Sequence, residues 1–68
     1  MLKVISYIIG MPDDNEEVGQ VEDIHQATQM VNDFIASDYE DCDVVKESEM
    51  KWVISSDFLD FDVVIEIT

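Results

Sequence analysis

A single apolar stripe of helical period decides most of what this chain can become. Ile24, Ala27, Val31, Phe34 and Ile35 recur at i, i+3, i+7, i+10 and i+11 within residues 21–37, the spacing that gathers side chains on one face of an α-helix. The other patterned segments alternate with the period of two that belongs to strands. One helix shields one face of one sheet, so the chain is expected to fold as two layers with a core between them. Its 68 residues make one domain, residues 1–68, near the lower limit of size, where only about 60% of the unfolded surface is buried.

Residues 2–9, LKVISYII, are rich in β-branched and aromatic side chains and stop at Gly10-Met11-Pro12, which predicts a strand followed by a breaker. Its two faces are Leu2, Val4, Ile8 and Lys3, Ile5, Tyr7, Ile9. Both are mostly apolar, as suits an inner strand. Residues 13–19 read as a polar, acidic loop. Glu22 and Asp23 fall in the first turn of the helix, where its dipole favours negative charge. The helix runs out within residues 37–41, which hold no capping glycine.

Beyond the helix, Met50, Trp52 and Ile54 alternate with Lys51, Val53 and Ser55, and Phe61, Val63, Ile65 and Ile67 alternate with Asp62, Val64, Glu66 and Thr68. These segments read as an antiparallel hairpin joined through residues 55–60. Val44-Val45 is either a short strand of its own or the start of one long strand. The expected fold class is α+β: a single helix packed on one face of a small, mostly antiparallel sheet, in the order β-α-β-β or β-α-β-β-β. The helix stripe should meet Met50, Trp52, Ile54, Phe61, Val63, Ile65 and Ile67. The opposite face should display Lys51, Val53, Ser55, Asp62, Val64 and Glu66 beside apolar residues of the first strand. An apolar strip rimmed by acid is the kind of face that a target or a second copy of the chain covers, the latter as a homodimer.

Charge narrows the function. Seventeen Asp and Glu stand against three Lys, a formal net charge of -14. Such a chain repels phosphates, which argues against direct binding to nucleic acid or to an anionic membrane. A hydrophobic content of 47% argues equally against an acidic disordered tail. No run approaches the roughly 20 apolar residues of a membrane span. The opening MLKVISYIIG lacks the cationic start and small-residue cleavage site of a signal peptide. The lone Cys42 makes no internal disulfide, and the expected setting is the cytoplasm.

Parts for catalysis are few. Cys42 is flanked by Asp41 and Asp43, the reverse of the electropositive surroundings that activate a thiol. His25 is far from it in sequence and reads as a surface residue. An EF-hand loop starting at Asp13 would need Gly at position 18 and Glu at position 24, where the chain has Val18 and Ile24. Asp41-Cys42-Asp43 and Asp60-Phe61-Asp62 supply two carboxylates each, too few for a metal site. The two glycines are isolated, so no phosphate-cradling loop exists. The expectation is a protein that is not an enzyme, with no cofactor and no metal.

The acid itself is then the informative feature. It clusters at residues 13–17, 38–43, 47–49 and 57–66, and it exceeds the net charge of about 2–8 that keeps a small domain dispersed. Self-repulsion on this scale works against the compact state, and a Lys/Arg-rich partner surface is the simplest compensation. Two sets of contact residues stand out. Asp13, Asp14, Glu16 and Glu17 lie on the loop, and Asp60, Asp62 and Glu66 line the final strand. Residues on one strand face repeat at about 6.6 Å, roughly the pitch of successive phosphates.

With these acidic clusters and an apolar strand-helix-hairpin lacking catalytic parts, the whole chain resembles the small acidic inhibitors encoded by phages and other mobile elements. These include anti-CRISPR proteins, anti-restriction proteins and uracil-DNA glycosylase inhibitors. The resemblance implies a DNA-mimic inhibitor that acts in the host cytoplasm. It would occupy the basic nucleic-acid-binding surface of a nuclease or CRISPR effector complex and block DNA or RNA. The alternative expectation is a small homodimeric or host-protein-docking module whose acidity serves solubility.

Overall fold

The apolar first strand takes a place inside a five-stranded sheet. The computed structural model, which describes residues 1–57 and 59–68, runs β1 Leu2–Ile8, β2 Glu16–Val21, α1 Ile24–Asp38, β3 Asp43–Ser48, β4 Lys51–Ser55 and β5 Val63–Ile67. The spatial order is β2-β1-β5-β4-β3, and every neighbouring pair is antiparallel. The fold is α+β, one helix packed on one face of an antiparallel sheet. Three strands follow the helix, the fuller of the two expected orders, with Val44-Val45 in a strand of their own.

Local chemistry explains the boundaries. β1 ends in a tight turn closed by Met11 N–H donating to the Ile8 carbonyl at 2.9 Å. Gly10 takes the third position of that turn with φ +85, a conformation that side chains disfavour. The helix begins at Ile24, the first residue of its stripe and three residues after the expected bound at residue 21, so Glu22 and Asp23 precede its first turn instead of lying within it. Asp23 precedes it as N-cap, its carboxylate accepting from Gln26 N–H at 2.8 Å, and the Gln26 side chain reaches back to Glu22 N–H at 3.1 Å. Two otherwise orphaned amides are thus satisfied from two side chains.

The expectation of a loop over residues 13–19 needs correction. Glu16–Val21 forms β2, which pairs with β1 from Leu2↔Val21 to Ser6↔Glu16 with a bulge between Val4 and Ile5. Edge strands carry charge and bulges as protection against further pairing, and those features hide β2 from a hydrophobicity pattern. Gly19 within it leaves room for Met30: a Cβ there would stand 2.7 Å from both Sδ and Cε, the flexible tip of that side chain, which would have to turn aside.

The core comprises Val4, Ala27, Val31, Trp52, Ile54, Ile65 and Ile67, with Phe34 and Ile35 packed at its margin. Three residues expected there lie outside it. Ile24, Met50 and Phe61 are exposed, Phe61 by 61%. The helix lies over β1 and β2, so its shadow does not reach the β3–β4 turn or the segment before β5. Of the expected 55–60 connection, residue 58 lies outside the described residues. Among the described residues no helix is long and apolar enough to cross a membrane.

Candidate functional site

In an antiparallel sheet every second connection emerges at the same end. The β1–β2 loop, the helix C-terminus with its link to β3, and the β4–β5 loop all emerge beside the C-terminal ends of β1 and β4. They bring Asp13, Asp14, Glu16, Asp38, Glu40, Asp41, Asp43, Asp57, Asp60 and Asp62 to that end, ten of the seventeen carboxylates. One bond joins two of these loops, Ile9 N–H donating to the Asp62 carbonyl at 3.0 Å, and a turn within the link to β3 is closed by Cys42 N–H donating to the Tyr39 carbonyl at 3.1 Å. Tyr39 shares a small hollow with Asp14 and Glu16. Its hydroxyl pKa is raised, first by burial and then by the charges of Asp38, Cys42 and Glu16.

Among the described residues no lysine lies at this end. Lys3 is the second residue of β1 and Lys51 the first of β4, both at the opposite end, and Lys46 sits in β3 opposite Trp52, 5.5 Å from the centre of its ring. The helix adds to the asymmetry, because its C-terminus, the negative end of its dipole, points the same way as the carboxylates. Among the described residues no three His, Cys, Asp or Glu converge as a metal site would require. The carboxylates are instead spread across an end roughly 19 Å wide, the span of five strands about 4.8 Å apart.

The two expected contact sets divide differently from how the sequence grouped them. Asp13, Asp14 and Glu16 join Asp60 and Asp62 at the acidic end, so the loop and the approach to the last strand form one surface. Glu17 sits within β2, and its carboxylate lies 3.9 Å from the Lys3 amine. Glu66 is more firmly held. It accepts from the Tyr7 hydroxyl at 2.7 Å and lies 3.8 Å from the Lys51 amine. The expected row along the last strand is therefore interrupted. β5 starts only at Val63, and Val64, 2% exposed, separates Asp62 from the occupied Glu66. Asp38, Glu40, Asp41, Asp43 and Asp57 belong to the surface and had not been singled out as contacts. Counting alternate connections of an antiparallel sheet would have found them.

The opposite sheet face carries Ile5 and Tyr7 from β1, so these, not Leu2, Val4 and Ile8, join Val53 and Val64. Register aligns Tyr7, Val64, Val53 and Val45 in one line across β1, β5, β4 and β3. Lys51 bridges Glu47 at 3.7 Å and Glu66 at 3.8 Å along one side of that line. No protein family, curated protein or solved structure matches this chain.

Proposed function

We propose that this protein is a non-enzymatic, stoichiometric inhibitor acting in the host cytoplasm. Its acidic end occupies the Lys/Arg-lined nucleic-acid-binding surface of a nuclease or CRISPR effector complex and excludes DNA or RNA from it. The observation that carries this reading is the segregation of charge. Ten carboxylates and no lysine occupy one end, while the three lysines occupy the remainder. Charge added for solubility alone has no reason to segregate, whereas a surface that imitates phosphates must keep cations away. The resemblance to phage-encoded acidic inhibitors points the same way.

The test is a titration of guide-loaded CRISPR effectors and restriction nucleases with the protein, reading DNA cleavage at low and at high salt. Inhibition should saturate at a fixed ratio and weaken steeply with salt. A double substitution Asp41→Lys with Asp62→Lys should abolish it, while Glu66→Gln should not. Inhibition that survives the double substitution would refute the role of the acidic end.

A second reading rests on the apolar line from Tyr7 to Val45, which reaches an edge strand exposed along its length, with Val45 57% exposed. A second copy could cover this face and form a homodimer. At -14 per chain such a dimer would strengthen with salt, opposite to an acidic-to-basic complex. Sedimentation across a salt series separates the two.

A further inference from the structure

A hollow of about 250 Å³ opens at the acidic end, on the sheet face that carries the helix. Its floor is Ser6 and Ile8 of β1 with Val63 of β5, which pairs with Ile8. Ser6 and Ile8 alternate with buried Val4 and so share its face of β1. Tyr39, the C-cap of α1, forms one wall, and Phe34 meets its ring edge-on at 5.6 Å. Asp14 of the β1–β2 loop stands at the rim with Glu16, the first residue of β2 and the partner of Ser6. Among the described residues neither carboxylate pairs with a lysine.

We infer that this hollow receives one arginine side chain from the partner's basic surface. Size, potential and shape carry the assignment. The volume falls below the roughly 300–1,000 Å³ of a site for a drug-sized ligand and suits a single side chain. The negative potential has two independent sources. Asp14 and Glu16 supply full charges, and α1 ends at Tyr39 with no basic residue in its last turn, which leaves the negative end of its dipole open to a cation. That charge is felt at the wall, where the Tyr39 hydroxyl pKa is raised first by burial and then by Asp38, Cys42 and Glu16. The apolar floor disfavours a bare inorganic cation, which would shed water there for little return. A long cationic side chain instead lays its hydrocarbon stem on Ile8 and Val63 and keeps its head at the rim. Arginine fits better than lysine. Its planar guanidinium stacks on an aromatic ring and forks its donors between acceptors, and here one ring and two carboxylates come from three different segments.

This deepens the inhibitor reading and rests on it only for whose arginine enters. The test uses three tripeptides, acetyl-Gly-X-Gly-amide with arginine, lysine or norleucine at X, titrated into isotope-labelled protein at physiological salt and followed by NMR. The arginine peptide should shift Ser6, Ile8, Tyr39 and Val63 and bind roughly threefold more tightly than the lysine peptide. The norleucine peptide, with a stem but no charge, should leave the hollow unchanged. Glu16→Gln should weaken the arginine peptide severalfold, whereas Asp57→Asn, at the same end but outside the hollow, should not. Equal affinity for arginine and lysine would overturn the choice of side chain. Equal losses in the two variants, or shifts spread evenly over the acidic end, would reduce the interaction to general attraction and overturn the hollow as its site. No nuclease enters this test. A panel of nucleases that the protein leaves active would sink the inhibitor reading alone, with the preference for arginine still standing.

Discussion

Tyr7→Phe removes one hydrogen bond and leaves the ring in place. The hydroxyl donates to Glu66 Oε1 at 2.7 Å between adjacent strands in which Tyr7 faces Val64 and Ile5 faces Glu66. A hydrogen bond to a charged acceptor contributes about 1.5–3 kcal/mol. Both residues are only half-buried, and Glu66 retains Lys51 at 3.8 Å. Solvent and the ion pair offset part of the loss, which leaves about 1 kcal/mol. In a domain of this size that lowers Tm by about 4–8 °C. The same contact sets a pH signature. Glu66, first through the hydrogen bond and then, after burial, through its charge, pushes the Tyr7 pKa up from 10.0 to about 12. A group whose folded pKa exceeds its unfolded value stabilises the fold fully below the unfolded value. That stability is lost as pH rises through the window from 10.0 to about 12. Urea unfolding of parent and variant should show a gap of about 1 kcal/mol near pH 7 that narrows near pH 11. Coincident curves near pH 7, or a gap unchanged near pH 11, would refute the bond. Glu66 would then return to the pool of free carboxylates.

Ile54→Ala empties a fully buried site and should cost about 2–5 kcal/mol, against a total of about 3–10 for a chain of this length; an unshifted urea midpoint would remove Ile54 from the core. Phe34→Ala should cost less than the roughly 3–5 kcal/mol of a fully buried ring, because Phe34 is half-buried and meets Tyr39 edge-on at 5.6 Å. Equilibrium unfolding that loses the full amount would place the ring deeper. Asp23→Ala removes the N-cap and should destabilise by about 1 kcal/mol, measurable as a lower Tm; no change would mean water replaces the cap. Adding salt, or replacing Asp57 and Asp60 together by Asn, should raise Tm by relieving repulsion at the acidic end. A Tm that is flat under both changes would show those charges to be too far apart to interact.

The sequence alone determined the elements whose side chains face a core. The stripe from Ile24 to Ile35 identified α1, and the mixed apolar faces of residues 2–9 marked β1 as an inner strand, because burial leaves a periodic trace in the residues buried. It also determined the scale of the charge and the scarcity of catalytic parts. What depends on pairing between distant segments was decided only in three dimensions. Glu16–Val21 is a strand because β1 supplies its hydrogen-bond partners, not because its own side chains demand it. Phe61 and Met50 read as core by alternation yet are exposed, because one helix lying over β1 and β2 cannot reach them. The candidate site divided on the same principle. The acidic residues were visible as local runs. Their gathering at one end follows from the antiparallel direction of every strand, and the withdrawal of Glu66 and Glu17 follows from Tyr7, Lys51 and Lys3, neighbours that only the sheet register places beside them.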